Sequence, residues 1–495
     1  MLARRIRQSF GRNSLLLQIV VGCSFGLLLG IAGLRLSLLL VLGALGAALL
    51  IYAVLKRPEI GLLGILIATS SIVFEDQLPL LSLGGISLHI PDLLLLSLLG
   101  LIVLRWLVEP EFKIVRTPLD WPLLIFYAVT LLSTFIAILK SSVEAQTALR
   151  ATRVLSYYLT FFIVTNLVRD RRQLNFLLNS LFLLATIVAA AMIVQFLLGD
   201  SVQLLPGRVE TLNTQGTMYE DITRILPPGW PIVLVSFVAI FCIQVLEEFK
   251  PPGWLKFLQC GLLGMALLVT FLRSYWAVLI MVFFLLAYLC RGYDRRRLIG
   301  WGLVVICSAA MILLFVTSDP ESRAARLAGA SFDRLGTLAS SETFQGQDSS
   351  LNWRKIENGY AFSTIASHPL IGLGMGFTYR PWDPRLDVPG SNYDFRKHIH
   401  NGHLLILLQS GLLGYLGFMW LSLAFLMRGF RYWRSIANDR MRGVVLGFTL
   451  VYLAVLIAAW VNSTFMQWRW TPVIGIIMGT NEIILSKVGP EVPVA

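Results

Sequence analysis

The sequence is poor in charged residues. Only 14% of its 495 residues are Asp, Glu, Lys or Arg, whereas 56% are hydrophobic. A typical soluble domain carries about 25% charged residues, and soluble chains of this length divide into domains with polar surfaces. The shortage of charge therefore excludes an ordinary soluble protein. Together with repeated apolar runs near the length of a membrane span, it indicates a polytopic membrane protein.

Cysteine is also scarce, and the five cysteines lie within or at the edges of apolar runs without any CxxC spacing. They are typical of small buried hydrophobic residues and exclude a disulfide framework. The net charge of +13 is spread over short clusters between the apolar runs, so no basic domain indicates a nucleic-acid partner. We expect the protein to contact membrane lipids and not nucleic acid. We also expect the first run, which no small-residue cleavage site follows, to be a retained helix.

The apolar runs predict an all-α, polytopic integral membrane protein of about 12–14 transmembrane helices. The third and sixth runs are short, and the ninth and tenth meet at Arg273, which accounts for the range. The fourteen candidate spans lie near 15–34, 36–55, 59–74, 92–108, 119–139, 154–168, 174–198, 230–246, 255–272, 274–290, 298–317, 402–427, 443–461 and 471–486.

Lysine and arginine predict the orientation, because cytoplasmic connections carry an excess of both. Twenty-four of them fall on the side of the N-terminus, against eight in the short connections on the other side. Both termini are therefore predicted to be cytoplasmic. The segments 200–229 and 318–401 are predicted to face outward. We expect three parts: an N-terminal bundle over 1–317, a periplasmic loop over 318–401, and C-terminal helices over 402–495.

The long loop contains three features that could carry chemistry. Residues 352–367 have the spacing of an amphipathic helix, which Pro369 should end. The turn that follows, from His368 to Phe377, is rich in glycine, and such turns let backbone amides approach a phosphate. Finally His398, His400 and His403 surround Asn401 where the twelfth span begins.

Histidine is the side chain best suited to proton transfer near neutral pH. We expect His400 and His403 to share a face at the start of that helix. A metal site of HxH type and a plain structural cluster are the alternatives, although no nearby cysteine or acidic residue completes a metal geometry.

Several arginines lie on the predicted outer side, where orientation does not favour them. Arg273 is flanked by apolar sequence and is either an anion-binding residue or an anchor that reaches lipid headgroups. Arg150 and Arg153 are spaced to share a helix face, so both could meet one multivalent anion or anchor the helix at the interface.

These segments resemble the O-antigen ligase and polymerase superfamily of bacterial envelope membrane glycosyltransferases. The pattern is an Arg (Arg354), a His-Pro-Leu-x-Gly-x-Gly-x-Gly turn (368–376), a His-Asn pair (400–401) and Gly-Leu-Leu-Gly (411–414). The family's usual Trp four residues after the Arg is Asn358 here. The family also has a Ser-Arg pair at an outer helix end; at Arg273 the serine follows the arginine instead of preceding it.

The resemblance implies a GT-C-like fold in the bacterial inner membrane, with the active site facing the periplasm. It implies an undecaprenyl-pyrophosphate-linked glycan donor, a lipid acceptor such as lipid A-core, and neither a metal nor another cofactor. The catalytic base would be His400. The substrate-binding residues would be Arg273, Arg354, Arg150, Arg153, Asn401 and His368.

The sequence leaves the reaction open between classes. A ligase would join a complete polysaccharide to an outer-leaflet acceptor, and a polymerase would extend the lipid-linked chain by repeat units. Another glycan transfer is also compatible with the motif. A transporter of small anions such as bicarbonate is a further alternative, because outward arginines would suit an anion path. Against transport, no pair of broken helices occurs in corresponding halves of the chain.

Overall fold

A computed structural model describes residues 52–73, 77–78, 81–83, 86–214, 217–247, 253–317, 326–331, 349–387 and 394–486. The described part is mainly helical, which confirms the all-α, polytopic fold class. Its helices are α1 (Pro58–Ser70), α2 (Ile90–Val108), α3 (Asp120–Leu139), α4 (Ala145–Ser156), α5 (Thr160–Leu167), α6 (Arg171–Leu198), α7 (Trp230–Leu246), α8 (Gly253–Leu268), α9 (Arg273–Leu289), α10 (Gly292–Thr317), α11 (Ser349–Ser367), α12 (Gly402–Tyr432), α13 (Asp439–Ala458) and α14 (Thr471–Ser486).

The first candidate span and residues 36–51 of the second lie outside the described residues, and each of the other twelve contains a helix. Five helical stretches in the described part are long and apolar enough to cross a membrane: Ile90–Val108, Asp120–Leu139, Arg171–Leu198, Gly402–Ser435 and Asp439–Ala458. The ninth and tenth candidates are two helices, α8 and α9, with a four-residue turn between them. The short sixth candidate is α5, which a 3₁₀ turn over Tyr157–Leu159 joins to α4.

Among the described residues, two antiparallel hairpins interrupt the helices and were not predicted. The small one pairs β1 (Leu81–Leu83) with β2 (Ile86–Leu88). The larger one pairs β3 (Arg208–Thr214) with β4 (Thr217–Leu226), with a register shift after Thr211. It occupies the connection 200–229. The amide of Ile225 donates to the carbonyl of Val269, so the hairpin is fixed against the α8–α9 turn.

The core of the bundle is formed by α7, α13 and α14, whose side chains are almost all buried. Glycine lets the helices approach closely, as is common where helices pack in membranes. A Cβ at Gly447 of α13 would lie 2.6 Å from the Cα of Ala239 on α7, and one at Gly479 of α14 would lie 2.8 Å from the Cβ of Val164 on α5.

The connections separate into two groups at opposite ends of the bundle. We call one the loop end, formed by the described residues of 199–229, 269–272, 368–401 and 459–470. Hydrogen bonds link its parts: Arg224 donates to the Thr270 carbonyl, and the Gly402 amide donates to the Ala459 carbonyl.

We call the other the basic end, formed by 109–119, 168–170 and 433–438. Here Arg169 donates to the Lys113 carbonyl and Arg434 to the Leu289 carbonyl. The structure thus brings the described parts of the segments predicted to face outward together, away from the basic connections.

This separation makes the orientation testable with three exposed serines in a chain whose five cysteines are replaced. Ser201 and Ser367 lie at the loop end and Ser435 at the basic end. We expect Ser201→Cys and Ser367→Cys to react with a membrane-impermeant maleimide in intact spheroplasts. The matched control, Ser435→Cys, should react only after lysis. The reverse pattern would contradict the predicted orientation.

Candidate functional site

A buried carboxylate on α11 is the centre of the candidate site. The helix was predicted over 352–367 and forms over Ser349–Ser367, and it ends before Pro369 because proline cannot continue it. Its inner face carries Trp353, Glu357 and Ala361 at helical spacing, and Glu357 is only 2% exposed. A charged residue on the inner face needs partners, since burial of an unpaired carboxylate is costly.

Glu357 has three donors. The backbone amide of His400 donates to Oε2 at 3.1 Å, and His400 Nδ1 lies 3.0 Å from the same oxygen and 3.2 Å from Oε1. The indole nitrogen of Trp353, one turn earlier on α11, donates to Oε1 at 3.1 Å. The carboxylate therefore fixes both the backbone and the ring of His400, although the two residues are far apart in sequence.

This pairing also fixes the tautomer of the histidine. Burial alone would raise the pKa of Glu357, but the hydrogen bonds and positive charge of His400 outweigh it, so the pKa lies below its ordinary value of 4.5. An ionised carboxylate only accepts hydrogen bonds. Nδ1 of His400 therefore carries a proton, and Nε2 is the nitrogen that holds the lone pair whenever the ring is neutral. The His400 side chain is 39% exposed, so solvent or a substrate can reach it.

His398 lies beside His400. The two rings are 5.1 Å apart and nearly perpendicular. The pKa of His398 is lowered to about 4, mainly by burial and in smaller part by the charges of His400 and Arg469, while the charge of Glu357 opposes this shift. His398 Nε2 lies 3.4 Å from Ser463 Oγ, in the segment that joins α13 to α14. His398 is therefore uncharged at neutral pH and packs between His400 and that segment.

Asn401 and His403 have structural partners. Asn401 is the N-cap of α12, and its side-chain oxygen accepts the Leu404 amide at 3.1 Å. His403 is buried, with Nε2 3.0 Å from the Leu456 carbonyl and Nδ1 3.2 Å from the Tyr415 hydroxyl. The prediction that His400 and His403 share a helix face is wrong, because the helix begins only after the Asn401 cap.

The glycine turn 368–376 is a docking element. Its amides at Leu373 and Gly374 donate to the carbonyls of Leu408 and Gln409 on α12, and the Met375 amide donates to Thr134 Oγ1 on α3. The suggestion that this turn cradles a phosphate is therefore wrong for these three amides, which are already used. His368 at its start is exposed and lies 2.9 Å from Ser367 Oγ.

The close contacts of the turn explain its glycines. Gly374 has a φ of +79°, and a Cβ there would lie 2.8 Å from the Cβ of Ala137. Gly372, earlier in the turn, faces Gly411 of α12, which has a φ of +62° and breaks the regular geometry of that helix. The Leu412 and Leu413 amides beyond this kink donate to the carbonyls of Pro369 and Leu370. The turn and the kink thus fit each other, and the turn sets where α11 meets α12.

A buried ion pair shapes the chain between the turn and the histidines. Both terminal nitrogens of Arg380 contact Asp387, at 2.7 and 2.9 Å. Asp383 accepts the hydroxyl of Tyr360 on α11 at 3.0 Å, and the Tyr379 amide donates to the Arg396 carbonyl. These bonds hold the loop on α11, so His398 and His400 return to the same helix that carries Glu357.

Arg273 is the first residue of α9 and is partly buried. A cation at this position opposes the helix dipole, which favours anions at a helix N-terminus. Its neighbours join it to the segment 459–470: Asn462 donates to Ser274 Oγ at 3.1 Å, and the Tyr275 hydroxyl lies 3.1 Å from Thr464 Oγ1. Because Ser463 contacts His398, this segment connects the start of α9 with the histidines.

The other predicted arginines have different surroundings. Arg354 lies one turn before Glu357 on α11 and is partly buried, so it shares the face that carries the carboxylate. Arg153 forms an ion pair with Asp92 at 2.7 Å, and its Nη2 donates to Tyr157. Arg150, one turn earlier on α4, is exposed. The structure thus gives Arg153 an internal role in joining α4 to α2 and leaves Arg150 as the accessible member of the pair.

Sequence reasoning missed two residues. Glu357 escaped notice because its partner lies 43 positions away, although a carboxylate on the inner face of a predicted helix was a usable signal. Arg469 was one of the eight outer basic residues but was not assigned a role. It lies in the segment 459–470, and its charge contributes to the low pKa of His398.

The fold and the site together define a polytopic membrane protein with a histidine, a carboxylate and arginines at one end of its bundle. Residues 258–419 match the family model described as O-antigen ligase, which confirms the resemblance drawn from the sequence motif. The matched segment runs from α8 into α12 and contains Arg273, Arg354, Glu357 and His400. Among curated proteins, no match to the chain is found.

The lowered pKa of Glu357 predicts a pH-dependent contribution to stability. A carboxyl group whose pKa is lower in the folded than in the unfolded protein stabilises the fold at pH values above the unfolded pKa. This stabilisation is lost as the pH falls through the folded pKa. Glu357→Gln should therefore lower the free energy of unfolding by about 1.5–3 kcal/mol at neutral pH, as for a charged hydrogen bond. The difference from the wild type should shrink below pH 4.5.

Thermal unfolding of the wild type and of Glu357→Gln in detergent, from neutral pH to below pH 4.5, would measure this difference in stability. Glu111→Gln, at an exposed position on the basic end, is the matched control and should unfold like the wild type. A difference for Glu357→Gln that does not change with pH would contradict the assignment of an ionised carboxylate.

Proposed function

We propose that the protein is a glycosyltransferase of the O-antigen ligase type. It would move a glycan from undecaprenyl pyrophosphate to a lipid acceptor, such as lipid A-core, in the outer leaflet of the bacterial inner membrane. The observation that carries the proposal is the Glu357–His400 pair at the loop end, within the segment that matches the O-antigen ligase family. The loop 318–401 would be periplasmic, between a bundle over 1–317 and helices over 402–495.

The proposed step is a displacement at the anomeric carbon of the donor sugar. The acceptor hydroxyl attacks this carbon, the bond to the pyrophosphate oxygen breaks with its electron pair, and undecaprenyl pyrophosphate leaves. His400 Nε2 takes the hydroxyl proton and later releases it to solvent. Glu357 holds the ring in the required tautomer and stabilises the imidazolium that forms, so it is a positioning residue. Neither a metal nor another cofactor is part of this step.

Arginines would neutralise the leaving pyrophosphate. Guanidinium groups can make two parallel hydrogen bonds to phosphate oxygens, which favours them over lysine. We rank Arg273 first, because the N-terminus of α9 adds its own attraction for an anion. Arg354 comes second, since it shares the inner face of α11 with Glu357. Arg150 comes third and Arg153, already paired with Asp92, fourth.

His368 and Asn401 stay in the proposal with smaller roles. His368 is exposed at the edge of the loop end and could contact the glycan. Asn401 caps α12 and so positions His400 beside it. We also keep the proposal that Asn401 contacts the substrate.

The pool of lipid-linked glycan in a deletion strain tests the proposed reaction. A ligase acts on finished chains, so we expect full-length lipid-linked polysaccharide to accumulate. Accumulation of single repeat units would identify a polymerase instead. An unchanged pool together with lost uptake of a small anion would identify a transporter. Complementation with the wild-type chain is the control and should restore the normal pool.

Substitution of Arg273 by lysine tests the bidentate contact. Lysine keeps the charge but offers only a point contact to phosphate, so Arg273→Lys should be produced normally and lose most of the transfer activity. Arg208→Lys is the matched control, because Arg208 lies at the loop end but is exposed and paired with Glu210. Near-normal activity of Arg273→Lys would make Arg273 an interfacial anchor.

Substitution of His400 tests the general base. His400→Gln and His400→Ala should each lower turnover about 10²–10⁴-fold, the usual contribution of such a group, while donor binding persists. A chelator should leave the wild-type rate unchanged. If chelation abolished activity as fully as loss of His400, a metal site would replace the proposed mechanism.

A further inference from the structure

A cavity lies away from the candidate site, between α6, α7 and α8 near the basic end. Its volume is about 610 Å³, within the range of roughly 300–1,000 Å³ common for small-molecule sites. It opens at the side of the bundle, where Leu183, Leu255 and Leu258 are exposed. In a membrane protein such a surface faces lipid, so the occupant must be something that the bilayer supplies.

One end of this cavity is charged. Lys256 of α8 forms an ion pair with Glu247 at the end of α7, and Arg440 of α13 donates to the side-chain oxygen of Asn179 on α6. All four side chains line the cavity. Two cations and one carboxylate leave an excess of one positive charge at this end, which favours an anionic group.

The rest of the cavity is mainly apolar. Phe182, Ile240, Ile243 and Leu262 line it beyond the charged end. Two polar residues, Gln259 and Thr186, also line it. Gln259 donates to Thr186 Oγ1 at 2.7 Å and to the Phe182 carbonyl at 3.3 Å. These bonds join α8 to α6 along the wall of the cavity. From Lys256 to Leu262 the groove follows α8 for about 9 Å, at 1.5 Å per residue.

We propose that this cavity binds a phospholipid with an anionic headgroup. The phosphate would lie between Lys256 and Arg440, and an acyl chain would follow the apolar wall past Gln259 toward Leu262. A charged rim above an apolar groove matches the two halves of such a lipid, and basic pockets between transmembrane helices bind anionic headgroups in this way. The site is independent of the glycan chemistry, since it lies at the opposite end of the bundle.

The test measures lipid binding to the purified full-length protein in detergent by native mass spectrometry. Phosphatidylglycerol and phosphatidylcholine with identical acyl chains are the probes. We expect the wild type to retain phosphatidylglycerol preferentially. A basic residue near an anionic lipid is worth about fivefold in affinity, so Lys256→Gln with Arg440→Gln should weaken phosphatidylglycerol binding about 25-fold.

Two further variants separate this site from general attraction to the surface. Arg172→Gln removes the same charge from an exposed position at the start of α6 that does not line the cavity, and it should bind phosphatidylglycerol like the wild type. Leu183→Trp keeps both cations but fills the groove, and it should lose binding of this lipid. Equal thermal unfolding of all variants in lipid-free detergent checks the fold.

Three results would overturn the proposal. The first is equal binding of the two lipids by the wild type. The second is a loss in Arg172→Gln as large as in the double variant. The third is a dimer that dissociates when Lys256 and Arg440 are replaced, because a second copy of the chain would then occupy the groove.

Discussion

Glu357 accepts three hydrogen bonds while almost fully buried, and the arrangement of the loop end depends on this carboxylate. Two of its donors belong to His400, just before the N-cap of α12, and the third is Trp353 on its own helix. Separation of α11 from α12 would remove both His400 donors and leave Trp353 as the remaining donor to the carboxylate; loss of a partner costs several kcal/mol when the charged group is buried. The same interaction that docks the loop thus also orients the histidine, so stability and the proposed chemistry depend on one group.

Other contacts determine where this pair lies relative to the bundle. The glycine turn 368–376 fits the kink of α12 at Gly411, and its amides bond to α12 and α3. From the other side, the segment 459–470 joins Ser274 to His398. The segment 459–470 therefore contacts both the start of α9, where Arg273 lies, and the histidines, although these belong to different elements. Such an arrangement places positive charge and a proton acceptor at one end of the bundle.

Much of this could be predicted from the sequence, because apolar runs and basic connections report directly on membrane spans and their two ends. The twelve candidate spans in the described part are helical, and α11 formed where its spacing predicted it. The hairpin of β3 and β4 was missed, since a polar loop carries little period-two signal. The prediction that His400 and His403 share a helix face was wrong for a local reason, because the Asn401 cap places His400 outside the helix.

Contacts across long sequence distances could not be predicted. No local pattern in the chain pairs Glu357 with His400 or Arg153 with Asp92, because each pair is brought together only by the packing of the helices. The glycine turn shows the same limit. Its composition suits a phosphate cradle as well as a tight docking contact, and only the positions of α3 and α12 decide between them.

The most direct measurement for the central claim is a cryo-electron microscopy structure of the protein with undecaprenyl pyrophosphate bound. The account predicts pyrophosphate density at the loop end, in contact with the guanidinium groups of Arg273 and Arg354. The Glu357–His400 pair should be intact and His400 Nε2 should face the space beside the phosphates. Density for the pyrophosphate elsewhere, or a bound state in which His400 has left Glu357 and turned away from the ligand, would contradict it.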